Sequence, residues 1–521
     1  MKVINPVLKG FNPDPSLVRA GDDYYIATST FEWFPGVAIH HSKDLVNWEL
    51  VSYGLNDDQW VDMTGLDASC GIWAPNLTYV DGTFYLVYTI VYTDRQRYKD
   101  THNFLTTATD IKGPWTKPVF LNQSGFDPSL YHEGDKKYVV NMVIDHRVDY
   151  VRFCGIDVQE YDGKNQKLIG EPVRVSAGTG RGDTEGPNIF KRGDYYYLVL
   201  AEGGTRYDRC TTVQRSKNLF GPYEDCPFNP ILTSAGQLNC QLERAGHSQA
   251  IEGKDGNWYM AHLSSRPVKK ASILGRESAI QNVHWTEDDW FKLSANDTGK
   301  PEIEFDVPNA SEGTIVNRDM SAKVDFSQVK NIPLDYMTLR RSFKSNGISI
   351  KNGKLHLQGG ASMMSKFFQA LLARRQQSLS CDFETEMTFN PRHLNHIAGM
   401  LVYYNCDNNY YLKMSRSPEG VFLGVTSSVN KVIEDSGQQY LPENTNKVYL
   451  KAEIRVEDLQ FYFSLDGKDY QPIGSVLDMK NISDEKIMGN GFTGSMLAVN
   501  CSDVQGDGVF AEFGYLDYQE R

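Results

Sequence analysis

Two hydrophobic patterns divide the chain. Through roughly the first three hundred residues, apolar and aromatic positions gather in short runs, each opened by a glycine: "GDDYYIATS" from Gly21, "GTFYLVYT" from Gly82, "GDKKYVVNM" from Gly134, "GDYYYLVLA" from Gly193 and "GNWYMAHLS" from Gly256. The intervals between these glycines are 61, 52, 59 and 63 residues. Runs this short, rich in β-branched and aromatic residues and bounded by turn residues, predict strands rather than helices. Each interval holds about four strands with their turns, which is the content of one propeller blade. The phrases "SKDLVNWELV", "ATDIKGPWTKPV" and "SKNLFGPYEDC" recur alongside and read as blade-closing segments. The fold class expected is therefore all-β, beginning with a five-bladed β-propeller over residues 1–315.

After "DVPNASEGTIVNRDMSAKVDFSQ" the register changes, and a linker is expected near residues 308–322. Downstream, polar and apolar residues alternate: "KLHLQ" from Lys354, "CDFETEMTF" from Cys381, "NYYLKMS" from Asn409, "VYLKAEIRV" from Val448 and "LQFYFSLDGKDY" from Leu459, the last with an Asp-Gly hairpin turn. Regular half-buried strands predict a β-sandwich over residues 316–521, a concanavalin-like jelly roll.

The first strand of each propeller blade lines the central axis, so the residues just ahead of the five glycine turns converge there. They are Asp14 in "DPSL", Trp73 to Pro75 in "WAPNL", Asp127 in "DPSL", Glu185 in "EGPNI" and His247 in "HSQAI". Three carboxylates and a histidine are thus expected around one axis. Because proline disfavours helical geometry in the residue before it, Asp14 and Asp127 are expected on extended backbone. Carboxylates crowded in a dry funnel cannot all stay ionised, so one can serve as an acid and another as a base. Splitting a glycosidic bond needs such a pair. A metal site is the rival reading of Asp14, Asp127, Glu185 and His247, although Ca²⁺ loops usually draw their ligands from a few adjacent residues.

Composition narrows the partners. A hydrophobic fraction of 40% with 23% charged residues is that of a soluble globular protein. The net charge of −13, with no basic run, argues against nucleic acid or an anionic membrane. The aromatic content, 29 Tyr, 25 Phe and 8 Trp, suits strands and also sugar faces. No apolar stretch has the length of a membrane span and the N-terminus has no signal-peptide pattern, so a cytoplasmic location is expected. The eight scattered cysteines form no C-x-x-C pair and are expected to be reduced.

Taken in order, "NPVLKGFNPDPSLVRAGDDYYIATSTFEWFPGVAIHHSKDLVNWELV", "GIWAPNLTYVDGTFYLVYT", "GFDPSLY", "DTEGPNIFKRGDYYYLVLAEGGT", "AGHSQAIEGKDGNWYMAHL", "LGRESAIQNVHW" and "GNGFTGSMLAVNCSD" resemble glycoside hydrolase family 43, most of all its two-domain β-xylosidases. The resemblance spans nearly the whole chain. It implies that Asp14 is the general base that activates water, Glu185 the general acid, and Asp127 the third carboxylate that orients the acid and keeps its pKa raised. Arg276 in "LGRES" is similar to an arginine that binds sugar hydroxyls and pairs with that third carboxylate; alone it would read as a surface ion pair. Phe31 and Trp73 resemble pocket walls, though Phe31 by itself reads as core packing. Phe492 resembles a phenylalanine that the sandwich contributes to close the pocket, and such closure means exo action.

His247 resembles a histidine of the central channel, in some relatives near a cation; a hydrogen-bonded buried histidine is the plainer reading. The implied chemistry needs no cofactor, with a structural Ca²⁺ or other divalent cation in the propeller channel as a further expectation. The implied activity is inverting removal of D-xylose from the non-reducing end of β-1,4-xylo-oligosaccharides. α-L-Arabinofuranosidase activity and a non-catalytic glycan-binding propeller are the alternatives. The resemblance also implies a homo-oligomer, dimer or tetramer. One stretch departs from it: where relatives commonly carry a histidine after "AEGGT", this chain reads "RYDRCTT", with Arg206, Asp208 and Arg209.

Overall fold

The five glycines that open the aromatic runs sit in hairpin turns with φ of +64°, +76°, +56°, +57° and +78°. That left-handed geometry is open to glycine at little cost, so each turn brings the inner strand of a blade back against its neighbour. The computed structural model describes residues 2–95, 97–307 and 319–521. Five antiparallel sheets follow one another in chain order. Their inner strands are Ser16–Ala20, Gly71–Val80, Ser129–Glu133, Glu185–Arg192 and Glu243–Glu252. The recurring closing phrases form outer strands in three blades: Glu49–Leu55, Val119–Asn122 and Glu224–Asp225.

The first and last blades are joined near the N-terminus. Lys2–Ile4 pairs with Glu304–Asp306, and Leu8 bridges Ser278. Asn5 reinforces the closure by donating from Nδ2 to the carbonyls of Ile280 and Glu302.

Two further sheets of eight strands each pack face to face as the expected sandwich. Strand Lys447–Arg455 shows the alternation that the sequence predicts: Val448, Leu450, Ala452 and Ile454 are buried, while the residues between them are more exposed. These side chains pack with Phe383, Leu412, Leu423, Phe461 and Leu516 from both sheets, and burial of such a face supplies most of the driving force for the domain. The Asp-Gly turn is longer than a two-residue hairpin: residues 465–470 connect the strands, and Asp466 Oδ1 accepts from the backbone of Lys468 and Asp469.

The expected linker at 308–322 and the boundary between residues 315 and 316 fall largely outside the described residues; Ala322 already opens a sandwich strand, Ala322–Asp325. Propeller and sandwich are not loosely tethered. Trp33–Phe34 of the propeller pairs antiparallel with Leu339 and Thr338, extending one sandwich sheet by a strand. One apolar cluster runs across the seam from Phe11, Phe31 and Trp33 to Met337, Leu371, Tyr403 and Met496.

Candidate active site

At the end of each inner strand nearest the site, the backbone takes a left-handed residue: Asp14 (φ +55°), Ala74 (+31°), Asp127 (+53°), Gly186 (+58°) and His247 (+54°). The expectation of extended geometry at Asp14 and Asp127 is therefore overturned, although proline still follows both. Register breaks beside these residues in three blades, at Trp73/Asn76, Glu185/Asn188 and Gly246/Gln249. A bulge of this kind re-aims side chains. Non-glycine residues at positive φ carry a strain of about 1–3 kcal/mol each, held only where the surroundings over-determine them. The five equivalent positions differ from the sequence count by one residue in the fourth blade: Gly186 occupies the shared position, and Glu185 stands just before it.

Asp14, Phe31, Trp73, Asp127, Glu185, His247, Arg276 and Phe492 all line one small pocket. Every expected site residue is thus brought together. Phe126, Thr205 and Arg209 line it too and were not on the expected list. Phe126 could have been found as the residue ahead of Asp127 in "GFDPS"; Arg209 lies in the stretch that departs from the resemblance.

The aromatic walls support one another. Phe492 lies 5.9 Å from Phe31 and 5.3 Å from Trp73 between ring centroids, and Trp73 meets Phe126 edge-on at 5.5 Å. The Lys99 ammonium stands 5.2 Å over both Trp73 and Phe126 and is ion-paired with Asp94, which also accepts from Asn490 of the sandwich. Phe492 is held by its backbone: its N–H donates to Ser69 Oγ, and its carbonyl accepts from Arg276 Nη2 at 3.1 Å. At the head of the same loop Asp484 pairs with Arg244 at 2.9 Å and accepts from the Tyr404 hydroxyl.

Arg276 departs from its expected partner. Its Nη1 donates to Asp14 Oδ1 at 3.1 Å, so the ion pair is with Asp14 and not with Asp127. Ser29 Oγ donates to the other Asp14 oxygen at 2.7 Å, and His247 Nδ1 lies 3.6 Å from Oδ1. Burial by itself would raise the Asp14 pKa, but Arg276, then His247 and the Ser29 hydroxyl, outweigh it and hold the carboxyl below its usual value. Asp127 and Glu185 are driven the other way. Burial, and then repulsion from Glu185 and Asp14, raises Asp127 well above its usual value. Glu185 is raised by burial, against the pull of Arg209. His247 is pushed down to about 4, chiefly by burial, so its imidazole is neutral.

Asp127, Glu185 and His247 each bring one donor atom to within 4.8 Å of the others. Below them Ser16, Asn76, Ser129, Asn188 and Gln249 line a narrow channel, in which Ser129 Oγ is buried without a hydrogen-bond partner. Neutral oxygens and a neutral imidazole fit a structural cation.

One carboxyl held below its usual pKa beside two held above theirs, all buried in one pocket, is the arrangement that hydrolysis of a glycosidic bond requires. The family model described as "Glycosyl hydrolases family 43" matches residues 3–291, and that described as "Beta xylosidase C-terminal Concanavalin A-like domain" matches residues 323–519. The chain is 42% identical to a beta-xylosidase of Bacillus subtilis, over the whole of both chains. It is also 42% identical to xylosidase/arabinosidase 43B of Humicola insolens, covering 99% of this chain and 98% of the relative. The crystal structure of a xylan beta-1,4-xylosidase from Bacillus halodurans superposes with a TM-score of 0.96 at 42% identity, over 99% of this chain and 100% of that one. With its propeller and its sandwich both matched, this chain belongs to glycosyl hydrolases family 43.

Proposed function

We propose that the protein is an inverting exo-β-xylosidase that releases D-xylose from the non-reducing ends of β-1,4-xylo-oligosaccharides. The observation that carries this reading is the opposite displacement of Asp14 and Glu185 within one pocket. Asp14, kept ionised by Arg276, is the base that takes a proton from water as it attacks the anomeric carbon. Glu185 is the acid that protonates the departing glycosidic oxygen. Asp127 repels the ionised form of Glu185 and keeps the pair from ionising fully. Phe492 caps the pocket against Phe31 and Trp73, which supports action at a chain end.

Arabinofuranosidase activity from the same pocket is a second reading, supported by the xylosidase/arabinosidase from Humicola insolens at 42% identity. A purely glycan-binding propeller is disfavoured, because a binder has no use for an ionised and a protonated carboxyl side by side. His247 and the channel oxygens are the place for a structural Ca²⁺ or other divalent cation. A cytoplasmic enzyme acting on imported oligomers is proposed, supported by eight cysteines that are all free thiols; no helix among the described residues is long and apolar enough to cross a membrane. A homo-oligomer, dimer or tetramer, is proposed on the family resemblance alone.

Proton NMR of the sugar first released from xylobiose tests the reading. Initial α-xylose, absent with Glu185→Gln, is the expected result. Initial β-xylose would overturn the role of Asp14 in activating water, and no release would shift the reading to arabinosides or to binding.

A further inference from the structure

Arg209 lies in the stretch that departs from the resemblance, "RYDRCTT". Its Nη2 donates to Glu185 Oε1 at 3.1 Å, and its Nε donates to the Gly204 carbonyl at 2.8 Å. Both side chains are almost wholly buried, at 1% and 9% exposure. Among the described residues, Arg209 is the one side chain that hydrogen-bonds the Glu185 carboxyl. Lys99 and Asp183 act on Glu185 through charge alone, Asp14 and Asp127 repel it, and neutral His247 stands beside Gly186.

The fold makes room for this arginine. A Cβ on Gly246 would come within 2.6 Å of Arg209 Cγ, so glycine ahead of His247 leaves the channel through which the stem runs. The backbone of Arg209 is pinned at both ends, its N–H donating to the Arg206 carbonyl and its own carbonyl accepting from Thr233 Oγ1. Its Nη1 is buried without a hydrogen-bond partner, and the residue lines the pocket.

We infer that Arg209 is the positioning residue of the general acid, fixing the direction of the Glu185 carboxyl through a single charge-assisted hydrogen bond anchored on Gly204. This rests on the reading of Glu185 as the acid. With no second side-chain hydrogen bond to it among the described residues, the Glu185 carboxyl is able to turn when that partner is lost. Guanidinium suits the task, since its planar fork bonds the carboxyl and the Gly204 carbonyl at once.

The test compares xylobiose, whose leaving sugar needs a proton, with an aryl xyloside whose acidic phenol does not. Arg209→Met should lower kcat on xylobiose by about tenfold to a hundredfold, a part of what a general acid contributes, with the aryl substrate and KM little changed. Arg209→Lys should fall between the two, since it keeps one donor and loses the fork. An equal loss on both substrates, or none on xylobiose, would overturn the inference. If the Met variant shows no cooperative melt, Arg209→Lys carries the test alone on the same criterion. Glu185→Gln is run beside them: an equal loss on both substrates there would sink the acid reading itself, whereas a selective loss there with none at Arg209 would sink only this inference.

Discussion

At the scale of single residues, charge placement divides the labour. Asp14 and Asp127 share a backbone conformation and a sequence context, yet they titrate in opposite directions. Their neighbours account for the difference: Arg276 bonds Asp14 at 3.1 Å, with Ser29 and His247 beside it, whereas Asp127 has the Gly186 N–H as its donor and is repelled by Glu185 and Asp14. The pH dependence follows with a definite sign. Activity needs ionised Asp14, so it falls as pH drops through that group's lowered pKa. It also needs a proton on Glu185, so it falls as pH rises through the raised upper pKa of the Asp127–Glu185 pair. Asp127→Asn removes the second charge from the pair, and the remaining carboxyl then loses its proton earlier. The basic limb of kcat/KM should move to lower pH; a limb that stays in place would show that Asp127 does not raise the acid's pKa.

At the scale of elements, the pocket depends on contacts between strand ends. Phe31 and Ile72 exchange backbone hydrogen bonds at 2.9 and 3.0 Å, which ties the wall residue to the second blade. Gly71 makes that approach possible: its φ is +93°, and a Cβ there would lie on the Phe31 carbonyl. Gly71→Ala should therefore cost at least about 2 kcal/mol, the sum of strain and displacement, and should weaken substrate binding as Phe31 moves. Urea unfolding checks the first expectation, and KM for xylobiose checks the second. Wild-type values of both would show that the blade contact yields without consequence.

At the scale of the whole molecule, the two domains share a seam that holds a buried acid. Glu32 is almost completely buried; its Oε2 accepts from the Ser69 N–H, and its carbonyl accepts from the N–H of Arg340 in the sandwich. Burial, opposed in part by Arg340, pushes its pKa up to about 7. A carboxyl raised in the folded state supports folding fully below its unfolded pKa and loses that contribution as pH rises through the folded value. This group should thus take away up to about 3 kcal/mol between pH 4.5 and 7. Glu32→Gln should flatten the fall in unfolding free energy across that window, read from denaturant melts at several pH values. An unchanged slope would place the dependence elsewhere.

The sequence by itself determined a great deal. Five glycine-led aromatic runs fixed the number of blades, because a tight turn needs left-handed geometry and a strand needs β-propensity, and both are local demands. Alternation such as that of Lys447–Arg455 placed the sandwich for the same reason. The convergence of Asp14, Asp127, Glu185 and His247 was legible because repeat symmetry carries equivalent positions to one axis. What the tertiary structure alone decided is which charges meet. Arg276 lies 262 positions from Asp14, and no periodicity says that it pairs there rather than with Asp127. Arg209 showed in the sequence only as an unexpected charge; its bond to Glu185 depends on Gly204, Gly246 and the packing of neighbouring blades. Direction of a side chain in a crowded pocket is set by many long-range contacts at once, and a chain read one residue at a time holds the parts of that arrangement without its geometry.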